Sequence, residues 1–134
     1  MATHLLLIED STDYREIVSF YLRSAGFVVG CAKDGRDGLA QARAGPCDLI
    51  ITDVMLPSLG GYEICSLLKQ DSRYQRIPII ILTASKLQPK DRELALQCGA
   101  DAFCPKSLEP KLLVEKIQQL LAGQAASSSG GTSA

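Results

Sequence analysis

Short apolar runs alternate with stretches of helical periodicity along this chain, and that alternation limits its fold more than any other feature. The strand candidates are residues 4–8, 27–31, 48–52, 77–83 and 102–104. The first, third and fourth are continuous apolar runs, as strands covered on both faces are. Between the first two, Tyr14, Ile17, Val18, Tyr21, Leu22 and Ala25 recur at i, i+3 and i+4 spacing, and Gly26 supplies a stop. Asp34 stands where a cap would open a second helix, which ends near Gly45-Pro46. Ile64, Cys65 and Leu68 mark a third helix; Leu94, Ala95 and Cys98, closed by Gly99, mark a fourth. Leu113, Ile117, Leu120 and Leu121 mark a fifth. Strict alternation predicts a parallel sheet with right-handed crossovers and helices on both faces. Five strands with five helices favour a doubly wound α/β fold with strand order 2-1-3-4-5.

A length of 134 residues suits one domain with a sizeable core. That domain is expected over 1–122. From Gly123 the residues turn small and polar with nothing to bury, so 123–134 read as a flexible tail. The formal net charge of −1 lacks the basic surplus of a nucleic-acid binder. No apolar run approaches the length of a membrane span. Met1-Ala2-Thr3-His4 lacks the basic start and apolar stretch of a signal peptide, which predicts a cytoplasmic protein. The five cysteines, Cys31, Cys47, Cys65, Cys98 and Cys104, show no Cys-x-x-Cys spacing and read as reduced, small apolar residues. The single histidine, His4, has no partner nearby in sequence and reads as the opening residue of the first strand.

In an open parallel sheet, ligands bind beyond the carboxyl ends of the strands, beside the point where strand order reverses. The residues just past each strand are therefore informative. Glu9 and Asp10 come after the first, Asp53 after the third, Thr83 after the fourth and Lys106 after the fifth. In the predicted order, the first and fourth strands flank the third, about 4.8 Å away on either side. Lys106 starts two strands away, roughly 10 Å, a gap that its long stem can cover. Three carboxylates against one ammonium leave uncompensated negative charge, which is costly unless a cation binds. Oxygen donors without soft ligands favour Mg2+, which shares its shell with phosphate oxygens. Asp53 is then the natural nucleophile toward phosphorus, with Lys106 and the metal neutralising the phosphoryl oxygens. Singly, these residues read as helix caps, strand ends or surface charges; the joint placement carries the reading.

These segments resemble the receiver domains of bacterial response regulators over about residues 4–121. Ile8-Glu9-Asp10 is similar to the family's acidic pair, and Asp48 to Pro57 to its phospho-acceptor segment. Pro78-Ile79-Ile80-Ile81-Leu82-Thr83-Ala84 resembles its fourth-strand motif, and Gly99-Ala100-Asp101-Ala102-Phe103 leads to Lys106 at the family's spacing. The resemblance implies a flavodoxin-like receiver fold, with Asp53 phosphorylated from a phosphohistidine on a histidine kinase or histidine phosphotransfer protein. It implies that Glu9, Asp10, Asp53 and the backbone carbonyl of Met55 hold Mg2+. Thr83 would hydrogen-bond the phosphoryl oxygen, and Phe103 would swing inward as the threonine moves. The resemblance also implies that Met55 and Ser85 would tune water access during self-catalysed dephosphorylation. Leu87 and Leu96 would belong to the face that changes on activation, and Phe20 to the face that docks the phosphodonor. The resemblance leaves open a homodimer on activation and does not name a downstream partner.

Three positions depart from the family pattern. Glu9 stands where aspartate is commoner, and Gly60-Gly61 replaces an Asp-Gly pair. Ser107 stands where the family has a proline after a cis bond; cis before serine costs about 3–4 kcal/mol, against about 0.5–1 before proline. The Lys106-Ser107 bond is therefore either strained or trans, with the aim of Lys106 at stake. Other readings are a degenerate receiver that docks partners unphosphorylated, or the receiver part of a larger regulator or hybrid kinase. An aspartyl-nucleophile phosphatase would carry a second acid where Met55 stands, and a flavodoxin-like cofactor protein would place backbone donors where Glu9 and Asp10 stand.

Overall fold

The computed structural model describes residues 2–83 and 89–130. The chain alternates β1 (His4–Ile8), α1 (Thr12–Ser24), β2 (Val28–Ala32), α2 (Gly35–Ala44), β3 (Leu49–Asp53), α3 (Gly61–Lys69), β4 (Ile79–Thr83), α4 (Pro89–Gln97), β5 (Ala102–Pro105) and α5 (Pro110–Gly130). The five strands form one sheet in the order β2-β1-β3-β4-β5, and every pair is parallel. This is the predicted doubly wound arrangement, with five helices. α5 continues to Gly130, past the point where the composition turns small and polar.

Successive strand residues face opposite sides, so the apolar runs supply two cores at once. On one side Leu5, Leu7, Leu49, Ile51, Ile80 and Leu82 meet Val18 and Leu22 of α1 and Leu113 and Ile117 of α5. On the other, Leu6, Ile8, Ile50, Ile79 and Ile81 meet Ala42 of α2 and Ile64, Cys65 and Leu68 of α3. Each fully buried Leu or Ile contributes about 1.5–3 kcal/mol, so the central strands anchor the fold.

The caps follow their sequence signals. Ser11 accepts from Tyr14 N at 3.4 Å to open α1, and Asp34 accepts from Asp37 N at 2.8 Å to open α2. α1 ends at Ala25, and Gly26 then takes φ +99°, a left-handed conformation that a side chain would resist. The buried face of α1 is narrower than the apolar stripe suggests. Val18, Ser19 and Leu22 are buried, while Ile17 and Tyr21 are exposed. In α4, Leu94 is exposed as well, not a core residue.

β3 turns into α3 so tightly that the helix start touches the strand end. Gly61 N donates to Val54 O at 3.0 Å, and a Cβ on Gly61 would lie 2.1 Å from Asp53 O. Backbone cannot yield there without moving Asp53. Gly61→Ala is expected to lose about 2–3 kcal/mol of stability in urea melts. Gly45→Ala, with nothing within 4 Å of its added Cβ, is expected to change stability by less than about 0.5 kcal/mol. Equal midpoints for the two variants would contradict the close approach.

Candidate functional site

The carboxyl ends of β1, β3, β4 and β5 bring Glu9, Asp10, Asp53, Thr83 and Lys106 to one rim of the sheet. Glu9 continues the β1–β2 ladder, its N–H donating to Ala32 O at 3.0 Å. Ser11 N donates to Glu9 Oε2 at 3.0 Å, and the Arg15 guanidinium donates to the Glu9 carbonyl at 2.7 Å. The Glu9 side chain is thus fixed and fully buried. Asp53 is the last residue of β3 and is only 5% exposed. Asp10 is exposed at the mouth. One oxygen from each of Glu9, Asp10 and Asp53 lies within 4.8 Å of the others.

Lys106 reaches this cluster from the far strand. Its N–H donates to Thr83 O at 2.7 Å, which prolongs the β4–β5 pairing and holds the residue in place. Its Nζ donates to Asp53 Oδ2 at 3.0 Å and forms a close ion pair with Glu9 Oε1 at 2.6 Å. Every peptide bond among the described residues is trans, Lys106-Ser107 included. The lysine therefore aims at the carboxylates without the family's cis bond.

Electrostatics follow from this packing. Burial pushes the Glu9 carboxyl above its ordinary value of 4.5, although contact with Lys106 and the Ser11 N–H pull the other way. Burial alone would lower the Lys106 ammonium, yet its contacts with Glu9 and Asp53 outweigh that and hold it above 10.5. Tyr14 lies beneath the ammonium, with Nζ 4.8 Å from the ring centroid, a cation–π contact. Burial pushes its phenol up to about 12, so it stays neutral. Sequence reasoning placed Tyr14 only in the apolar stripe of α1. Nothing in its spacing tells a core tyrosine from one that supports a lysine.

Of the remaining expected residues, Thr83 ends β4 and Met55 follows the end of β3. Thr83 Oγ1 is buried and has no hydrogen-bond partner among the described residues. Met55 N donates to Asp53 Oδ1 at 3.4 Å, so its peptide unit borders the Asp53 carboxylate, while its side chain is exposed. Phe103 is half-buried against the core on the α3 side. Phe20 and Leu96 are exposed. Ser85 and Leu87 lie outside the described residues.

The ligand atoms converging here are hard oxygens, and three carboxylates outnumber the Lys106 ammonium and the Arg15 guanidinium beside them. Such a set suits a small divalent cation together with an anionic group. The buried Thr83 hydroxyl, at the end of the strand next to β3, has no hydrogen-bond partner among the described residues and could donate to such an anion.

Over residues 5–118 the sequence matches the family model of the response regulator receiver domain. The chain belongs to that family. The receiver is 35% identical to response regulator Rre1 of Synechocystis sp. over 129 residues, 96% of this chain and 55% of that protein. It is 36% identical to the transcriptional regulatory protein GltR of Pseudomonas aeruginosa over 117 residues, 87% of this chain and 48% of that protein. The receiver thus spans about half the length of these curated relatives. Among solved structures, the chemotaxis response regulator CheY4 of Vibrio cholerae superposes with a TM-score of 0.83 at 31% identity, covering 90% of this chain and 99% of that one. The receiver domain of a sensor histidine kinase from P. aeruginosa PAO1 gives 0.83 at 31% identity, covering 91% and 99%. That structure holds a magnesium ion coordinated in its active-site cleft.

Proposed function

We propose that this receiver takes a phosphoryl group from a phosphohistidine onto Asp53, using Mg2+, and relays the event through a docking surface. The observation that carries the reading is the buried Asp53 carboxylate, paired with Lys106 at the same sheet rim as a buried Thr83 hydroxyl that has no partner among the described residues. Glu9, Asp10, Asp53 and the Met55 carbonyl would hold the metal, whose chemistry is to offset charge on the phosphoryl oxygens. A carboxylate oxygen of Asp53 attacks phosphorus; the P–N bond breaks and the imidazole leaves with its electron pair. Lys106 exchanges its contact with Asp53 for one with a phosphoryl oxygen, stabilising charge as it develops. Thr83 donates its hydroxyl to the same group, and Phe103 turns inward behind it. The switch is a two-state balance biased by these new charge-assisted bonds.

A histidine kinase or phosphotransfer protein is the donor. Ile17 and Phe20, exposed on α1, would give it an apolar landing. Relatives about twice as long favour a second reading, in which the receiver governs another domain of a larger cytoplasmic regulator. No described helix is long and apolar enough to cross a membrane.

The reading is tested by incubating the protein with Mg2+ and a small acyl phosphate, then mapping adducts by mass spectrometry. One phosphoryl group on Asp53, absent when the metal is chelated, is the expected result. An unmodified protein would favour a degenerate receiver, and an adduct elsewhere would reassign the acceptor.

Proton and metal compete for Glu9. Mg2+ affinity is expected to fall toward acid, by about tenfold per pH unit once Glu9 is protonated. Metal-free stability moves the opposite way. Because the folded pKa is raised, the Glu9 contribution is fully present below 4.5 and is lost as pH rises through the folded value. Calorimetric titrations and melts from pH ~5 to ~8 check both slopes. Glu9→Gln should flatten the Glu9 part of each; slopes unchanged in that variant would assign them to other groups.

A further inference from the structure

Away from the rim, two cysteines meet between α3 and the end of α4. Cys65, in α3, is fully buried, and its thiol donates to the carbonyl oxygen of Cys98 at 3.4 Å, across a separation of 33 residues. Cys98 follows the last residue of α4 and is half-buried. Cys31 and Cys104 pack on the opposite face of the sheet, and the Cys47 thiol is engaged by Leu49 O at 3.6 Å.

We propose that Cys65 and Cys98 form an oxidisable dithiol, which hydrogen peroxide closes into a disulfide tying α3 to the end of α4. The half-buried thiol reacts first. The Cys98 sulfur attacks a peroxide oxygen, the O–O bond breaks, and a sulfenic acid and one water form. The Cys65 sulfur then attacks the Cys98 sulfur; the S–O bond breaks, and the departing hydroxide takes the Cys65 proton as a second water. The two thiols lose two electrons and the peroxide gains them. Burial pushes the Cys65 thiol well above its ordinary value, which fits a resolving group held back from direct attack. In a reducing compartment such a bond is transient, as sensing disulfides are. The cross-link would fix the turn that leads from α4 into β5, ahead of Phe103.

The test uses the full chain, treated with hydrogen peroxide, denatured, alkylated and digested. The expected product is a peptide pair joined through Cys65 and Cys98, released by a thiol reductant. In the oxidised protein, amide exchange in β5 should slow by about tenfold. Cys98→Ser should form no such link, and Cys65→Ser should leave a sulfenic acid on Cys98 that a 1,3-diketone traps. The proposal fails if the wild-type bridge joins other cysteines, if Cys98 proceeds to sulfinic acid unbridged, or if exchange in β5 is unchanged.

Discussion

Asp53→Asn is expected to take up no phosphoryl group while keeping the fold. Asparagine has the same shape, and at a position only 5% exposed that preserves packing at the end of β3. Its amide oxygen can still accept from Met55 N, and Lys106 retains Glu9 as a partner. What disappears is the proposed nucleophile, since a neutral amide does not form an acyl phosphate. The charge change acts on two further quantities. The three acidic side chains that approach within 4.8 Å become two, so Mg2+ binding should weaken about tenfold or more. Metal-free stability should move by less than about 1 kcal/mol, because losing the Lys106 contact is offset by relief of carboxylate repulsion. Adduct mapping, a calorimetric titration and a thermal melt read the three effects separately. An adduct at wild-type level would mean that Asp10 or another residue accepts the group.

The sheet order was legible because three strands are uninterrupted apolar runs separated by helical segments, a pattern few architectures satisfy. The strand ends were less so. β3 includes Asp53, paired across from Leu82, whereas apolarity alone closes the strand one residue earlier. A polar residue that ends a ladder carries no hydropathic mark, although its hydrogen bonds are those of the strand. The α1 core face is narrower than its apolar stripe for the converse reason. Ser19 is buried because it is small, and its hydroxyl is satisfied by Glu16 O at 3.2 Å, while the larger Ile17 faces outward. The carboxylates could be located because sheet topology dictates where ligands gather. The aim of Lys106 could not, since it depends on a ladder bond to Thr83 and on the Tyr14 ring beneath it. Both contacts join residues far apart in sequence, and neither leaves a local pattern.

Lys106→Ala is expected to move metal binding and phosphoryl uptake in opposite directions. The ammonium now holds a position between Glu9 and Asp53, at 2.6 and 3.0 Å, so it occupies the charge that a divalent ion needs. Without it, Mg2+ enters a site more negative by one unit and no longer competes, and its affinity should rise about tenfold. Uptake should nevertheless fall by about 10²–10³, because a fixed donor to the developing phosphoryl charge is gone. Metal-free stability should drop by about 1–3 kcal/mol. Breaking a buried pair costs more than that in a closed interior, but this lysine side chain is 18% exposed, and Glu9 can escape by taking a proton. The drop should shrink toward acid, where Glu9 is already neutral, and shrink again in excess Mg2+. A variant that binds the metal more tightly yet phosphorylates at the wild-type rate would reduce Lys106 to a counter-charge. One that loses both would show that the lysine organises the carboxylates and does not compete for them.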